Sequence, residues 1–174
     1  MICRLFIKPA TAKKALFLDR QKQGLLQVYL NEKLFYTPFV FNTVLGVFIF
    51  TKKKEDTQLL TVWVSNFLAA ANLQSFSLVD CSSDPVFFRR FTREVLSNQE
   101  ASALAWKRYL NSFLIQVNPF KNEGIQGIKV FKRIKKVIKE KGSDPQKKHF
   151  KRRLKSLRKG VSLSSIESII KRPD

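Results

Sequence analysis

The side chains of this sequence with the clearest catalytic potential are three carboxylates near its middle. Asp80, Asp84 and Glu94 lie close together along the chain, and a metal-dependent nuclease would use such a group. Their spacing matches no recognised motif, and the pair Asp84-Pro85 is typical of a helix N-terminus. The carboxylates alone therefore do not indicate an enzyme.

A thiol and an imidazole are the other candidates. Cys81 could act as a nucleophile only with His149, the one histidine of the chain, and His149 lies in a strongly basic segment where we interpret it as a surface residue. One histidine and two cysteines rule out a site that needs two histidines or a set of cysteines. No glycine-rich phosphate loop or serine nucleophile motif is present. The sequence predicts a non-enzymatic protein without cofactor or metal.

Charge is the outstanding property of the sequence. Its 33 Lys and Arg against 13 Asp and Glu give a formal charge of +20. Such a field predicts attraction to polyanions, meaning nucleic acid, acidic membranes or acidic proteins. The two cysteines, Cys3 and Cys81, fit a reducing intracellular compartment.

Neither a membrane span nor a leader is strongly indicated. The apolar stretch 34–50 is interrupted by Pro38, Asn42 and Gly46, and it is shorter than the roughly 20 apolar residues of a spanning helix. Residues 1–20 are poor in acids, which would suit an organelle transit peptide, but they also suit a first strand.

Charge and aromatic residues divide the chain into two predicted domains. Residues 1–120 carry a net charge of +7 and 14 of the 16 phenylalanines, and residues 121–174 carry +13. We predict an α+β globular domain over 1–120 and a basic helical extension over 121–174. The many phenylalanines of the first part are interpreted as core, since their runs lack the aromatic signature of the commonest RNA-binding sheet.

The pattern of apolar and β-branched residues predicts the elements of the first domain. Strands are expected over 2–8, 25–30, 39–50 and 75–80 because these stretches are rich in β-branched and aromatic residues. Helices are expected over 57–73, 85–96 and 98–116. Strands followed by helices predict the α+β class.

The basic extension has the spacing of amphipathic helices. Val130, Phe131, Ile134, Val137 and Ile138 form one apolar stripe. A second stripe consists of Phe150, Leu154 and Leu157. Gly142 occupies the position of a left-handed helix cap, and Pro145 can open the next helix. We predict a helical hairpin, a stop at Gly160, and a short third helix up to Pro173.

Fourteen cations that surround these two stripes are predicted to bind RNA phosphates without sequence preference. They are Lys129, Lys132, Arg133, Lys135, Lys136, Lys139, Lys147, Lys148, Lys151, Arg152, Arg153, Lys155, Arg158 and Lys159. Arg89, Arg90 and Arg93, on the helix after Asp84, are a possible secondary RNA contact.

The expected setting is a ribonucleoprotein particle, with a ribosomal protein first and other proteins of the particle as further partners. Two alternatives stay open. One is a virus-encoded RNA-binding accessory protein, such as a silencing suppressor or a movement protein. The other is a peripheral protein whose basic amphipathic helices lie on an anionic membrane surface.

Overall fold

The structure is a computed structural model that describes residues 2–11, 15–52, 57–97, 104–117 and 125–170. Ten elements follow one another along the described chain, which confirms the predicted α+β class. They are β1 (Ile2–Pro9), α1 (Arg20–Leu34), β2 (Phe39–Thr43), β3 (Gly46–Thr51), α2 (Thr57–Ala70), β4 (Phe76–Asp80), α3 (Phe87–Ser97), α4 (Leu104–Gln116), α5 (Ile125–Lys141) and α6 (Asp144–Ile170).

The chain divides into two compact units, Met1–Phe91 and Thr92–Asp174. The predicted boundary at 120/121 lies outside the described residues. The division between the two compact units falls inside α3, so α4 belongs to the same unit as the basic helices α5 and α6.

A four-stranded antiparallel sheet in the order β2-β3-β1-β4 forms the centre of the first unit. With α1 between β1 and β2, and α2 between β3 and β4, this is the split β-α-β arrangement of ferredoxin-like folds. The predicted strand over 2–8 is confirmed as a central strand. The predicted strand over 39–50 is a hairpin of β2 and β3, and its turn ends at Gly46.

Aliphatic side chains cover one face of the sheet. Leu5, Ile7 and Ile49 are fully buried there in one cluster with the buried residues of α1 and α2. This cluster explains why α1 is a helix, although 25–30 was predicted as a strand. Leu26, Leu30 and Leu34 repeat every four residues and place one apolar stripe of α1 against the sheet. The strand prediction over 25–30 is therefore wrong.

Phenylalanines cover the opposite face. Phe6 of β1 stacks on Phe48 of β3 with ring centroids 4.5 Å apart, and both contact Phe91 of α3, at 5.1 Å and 5.0 Å. Phe88 of α3 makes an edge contact with Phe50 at 5.0 Å. Alternation along the strands thus separates aliphatic from aromatic side chains. The core interpretation of these phenylalanines is confirmed, since Phe48 and Phe50 are fully buried.

The basic segment folds as two helices, α5 and α6, with a break near Gly142. The rings of Phe131 and Phe150 lie 6.0 Å apart, which confirms that the chain changes direction there as predicted. Gly142 is not a left-handed cap, because the described residues with positive φ are Phe35, Asn72, Ser75 and Gly46. Its role is steric instead, since a Cβ atom there would lie 2.5 Å from the main-chain oxygen of Ile138.

The predicted stop at Gly160 is also wrong. Helix α6 continues through Gly160 to Ile170 and has 27 residues, so the third short helix is the distal part of α6. A single glycine costs a helix about 1 kcal/mol relative to alanine.

Candidate nucleic-acid interface

Helix α5 is held in the second unit by its apolar stripe. Val130, Phe131, Ile134, Val137 and Ile138 are all buried, as the spacing predicted. The Phe131 ring lies between two others in a continuous stack, with centroids 5.9 Å from Phe113 of α4 and 6.0 Å from Phe150 of α6. The stack fixes which side of α5 faces the protein and hence which side carries its cations outward.

The start of α6 is fixed by hydrogen bonds as well as by packing. The main-chain nitrogen of Ser143 donates to Oε1 of Gln146 at 2.9 Å, which is one half of a capping box. Nε2 of the same side chain donates to the main-chain oxygen of Leu96 in α3 at 2.8 Å. Sequence reasoning missed Gln146, although the pattern of a serine followed three residues later by glutamine could have revealed it.

The fourteen predicted RNA-binding cations lie on the two helices as expected from their spacing. All are exposed except Arg133 and Arg153, which are half-buried. The exposed ones are Lys129, Lys132, Lys135, Lys136, Lys139, Lys147, Lys148, Lys151, Arg152, Lys155, Arg158 and Lys159.

Little negative charge accompanies these cations. Between residues 125 and 160 the acidic residues are Glu140 and Asp144. Glu140 lies 3.9 Å from the Nζ of Lys136, in an exposed i,i+4 pair of the kind that adds only about 0.3–0.5 kcal/mol. The cations of α5 and α6 therefore outnumber the carboxylates available to neutralise them, and the surface that they form has a strong positive potential.

His149 is buried, which corrects its interpretation as a surface residue. Its Nε2 lies 3.1 Å from Oδ1 of Asn111 in α4, and its Nδ1 lies 3.5 Å from a guanidinium nitrogen of Arg152. An amide oxygen next to Nε2 and a donor next to Nδ1 are both satisfied by the neutral tautomer with its proton on Nε2. The sequence position, one turn before basic Arg152 and Arg153, suggested exposure, but the contact with α4 covers the ring.

The secondary RNA contact predicted at Arg89, Arg90 and Arg93 is less favourable. The guanidinium of Arg90 forms an ion pair with Asp84 and lies 5.7 Å from the centre of the Phe87 ring. Arg89 is half-buried and belongs to the first unit, whereas Arg93 is exposed and belongs to the second unit, as α5 and α6 do. The charge of Arg90 is thus already neutralised by Asp84 at the start of α3.

Two of the carboxylates considered for catalysis have local structural roles. Oδ1 of Asp84 accepts a hydrogen bond from the nitrogen of Val86 at the entrance to α3, as its capping pattern predicted. Oδ1 of Asp80 accepts from the nitrogen of Ser82 at 2.7 Å. The Cys81 thiol is buried. Both carboxylates thus stabilise the chain between β4 and α3.

The aromatic face of the sheet is not open for base stacking. Single-stranded RNA stacks on exposed aromatic rings of four-stranded sheets in a common mode of recognition. Here Phe6 and Phe48 lie under Phe87 and Phe91 of α3. The cationic surface of α5 and α6 is consequently the stronger candidate site.

Comparison of the chain with protein-family models, curated proteins and solved structures gave no match. Within the described ranges, no helix combines the length and apolar character needed to cross a bilayer.

Proposed function

We propose that this chain is a non-enzymatic RNA-binding protein whose helices α5 and α6 hold RNA phosphates without reading base sequence. One observation carries the proposal: twelve exposed cations project from two helices whose apolar stripes, buried in α5 and partly buried in α6, fix their orientation. Between residues 125 and 160 these cations are accompanied by two carboxylates. Phosphate contacts need charge and reach, whereas base readout needs paired donors and acceptors.

The dimensions of the helices suit several phosphates at once. Helix α5 has 17 residues and extends roughly 25 Å at a rise of about 1.5 Å per residue. Phosphates follow one another along each strand of B-form DNA with an axial rise of about 3.4 Å, and the rise is shorter in an A-form RNA duplex. Helix α5 is therefore long enough to contact phosphates over several successive nucleotides.

The setting we propose is a ribonucleoprotein particle, with a ribosomal protein as the first candidate. A protein that binds phosphates non-specifically gains its target from the particle around it, so other proteins of the particle are expected neighbours. Sedimentation of the native protein with ribosomal particles, and its release by ribonuclease, would support this setting. Sedimentation with membranes that ribonuclease does not change would contradict it.

The binding itself is tested by titrating a fluorescent RNA duplex at several salt concentrations. About eight phosphate contacts predict a slope of log affinity against log salt near −6 to −7. A flat response would contradict electrostatic binding. Competition by anionic vesicles but not by unlabelled RNA would favour the membrane-surface alternative.

Matched variants separate the proposed surface from total charge. The triple variant Lys132→Glu, Lys135→Glu, Lys139→Glu removes three exposed cations of α5. The control Lys8→Glu, Lys33→Glu, Lys52→Glu changes three exposed cations of the first unit by the same total charge. We expect the α5 variant to bind RNA at least tenfold more weakly, and the magnitude of its slope of log affinity against log salt to fall by about 2–3. Both changes should be much smaller in the control. Equal losses would contradict the assignment to α5.

A further inference from the structure

A cluster of side chains from α4 and α6 surrounds His149. The Trp106 ring of α4 meets the imidazole edge-on at a centroid distance of 5.3 Å, and Nζ of Lys107 lies 5.5 Å from the centre of the Trp106 ring. Asn111 fixes the other side of the imidazole through its 3.1 Å hydrogen bond. The cluster is thus a built feature of the α4–α6 contact.

Three cations of this cluster act on the same imidazole. Burial lowers the pKa of His149, and the positive charges of Arg152, Lys107 and Arg153 lower it further. Lys107 comes from α4, and the two arginines come from α6. Within the described part of the chain, no carboxylate forms an ion pair with any of the three cations.

Arg153 gives an independent indication of a ligand. Its Nε is buried and has no hydrogen-bond acceptor in the described structure. Buried donors nearly always have an acceptor, and an unsatisfied one costs about 1–3 kcal/mol. A small reorientation of the half-buried Arg153 side chain towards an oxyanion would give this donor an acceptor, and the anion would balance the three positive charges.

A phosphate has the right chemistry for this position. Guanidinium groups bind phosphate oxygens through paired N–H donors, and a lysine adds a point charge. Arg152 is exposed and Lys107 and Arg153 are half-buried, so a phosphate can reach them from solvent. Exposed Lys148, Lys151 and Lys155 lie next to them along α6 and can contact the neighbouring phosphates of one strand.

We propose that Lys107, Arg152 and Arg153 form a phosphate subsite beside His149, and that one backbone phosphate of the bound RNA occupies it. The inference rests on the proposed RNA-binding function. It adds Lys107, which the sequence did not indicate, and it gives one phosphate a defined position on an otherwise unspecific surface.

The sole histidine of the chain makes the subsite directly observable. Its imidazole gives one set of NMR signals in the full-length protein, so its titration midpoint can be followed without assignment. The negative charge of a bound phosphate offsets the positive potential of the three cations at His149 and so stabilises the imidazolium form. We expect an oligoribonucleotide such as U10 to raise the midpoint by about one pH unit, the effect of an opposite charge within ~4–6 Å.

Paired variants locate the effect. The double variant Lys107→Gln, Arg153→Gln should lose about tenfold in affinity for U10, the order of a 1.4 kcal/mol change, and its His149 midpoint should no longer move on binding. The control Lys8→Gln, Lys33→Gln removes two exposed cations of the first unit and should keep the midpoint shift. Circular dichroism establishes that each variant is folded.

Three results would overturn the subsite. RNA that binds with salt-dependent affinity but leaves the His149 midpoint unchanged contradicts the subsite and leaves the proposed function intact. A midpoint that inorganic phosphate raises but U10 does not contradicts occupation by RNA. A polyglutamate peptide that moves the midpoint as far as U10 contradicts a preference for phosphate. Absence of binding to both U10 and the RNA duplex at every salt concentration contradicts the proposed function itself.

Discussion

Gln146 donates from its side-chain nitrogen to the main-chain oxygen of Leu96, 2.8 Å away, and so joins the first turn of α6 to the last turn of α3. Both residues are buried. The same side chain caps its own helix by accepting from the nitrogen of Ser143. One amide thus serves two helix ends whose main-chain groups have no partner within their own helices.

Replacement of Gln146 by alanine should destabilise the second unit by about 1–3 kcal/mol, because it leaves a buried carbonyl oxygen unpaired. Urea unfolding monitored by circular dichroism measures the change. Lys147→Ala, at the exposed next position of α6, is the control and should stay within about 0.5 kcal/mol. Equal midpoints for Gln146→Ala and the original protein would contradict the role of this amide.

Replacement of Phe131 by alanine should cost about 3–5 kcal/mol, since it removes the middle ring of the stack that joins α4, α5 and α6. Ile128→Ala, on the same helix but 37% exposed, should cost far less. Thermal unfolding of both variants gives the comparison. A similar loss in the two would show that the stack does not hold α5.

Replacement by alanine should change the stability of the protein in opposite directions at two glycines, Gly46 and Gly24. Gly46 has φ +134°, and a Cβ atom there would lie 2.3 Å from the main-chain oxygen of Ile7, so Gly46→Ala should destabilise the sheet by more than about 1 kcal/mol. Gly24 lies within α1 with open space around it, and Gly24→Ala should stabilise by about 0.5–1 kcal/mol. Unfolding midpoints that shift in the same direction would contradict this contrast.

The stability of the second unit should fall on mild acidification. Burial and the neighbouring cations hold the pKa of His149 below its ordinary value of 6.5. As the pH falls, His149 is therefore protonated in the unfolded chain before it is protonated in the folded chain. The contribution of neutral His149 to the free energy of unfolding is complete above about pH 6.5 and is lost as the pH falls towards the folded pKa. Urea midpoints at pH 7.5 and 5.5 measure it.

The control for this pH dependence is His149→Gln, which cannot titrate in this range. We expect a smaller difference between the two pH values in that variant than in the original protein. A difference of the same size in both would assign the pH dependence to other groups.

Local patterns predicted much of the fold. The stripe from Val130 to Ile138 is buried as its spacing indicated, and the strands that begin at Ile2 and Phe39 lie where β-branched and aromatic residues are dense. Helix α1 was missed because its Leu and Val content suits either element. Asp19, whose side chain caps α1 through the nitrogen of Lys22, was the available signal.

The candidate site depended more on tertiary contacts, which composition does not contain. The exposure of the cations follows from helix periodicity and was predictable. The burial of His149 follows from its contact with Asn111, 38 residues earlier, and no local pattern indicates that pair. For the same reason Lys107 was not predicted to take part, since only the packing of α4 on α6 brings it near the arginines.

The membership of α4 in the second unit changes how a deletion of the basic region would be interpreted. A shortened chain ending at residue 120 would retain Tyr109, Leu110 and Phe113, all fully buried in the whole chain, and would lose the helices that pack with α4. Such a fragment would expose this apolar, partly aromatic surface of α4 to solvent and would aggregate. Loss of RNA binding after truncation could then result from misfolding of the fragment. Charge-changing substitutions avoid this problem because α4, α5 and α6 remain packed together.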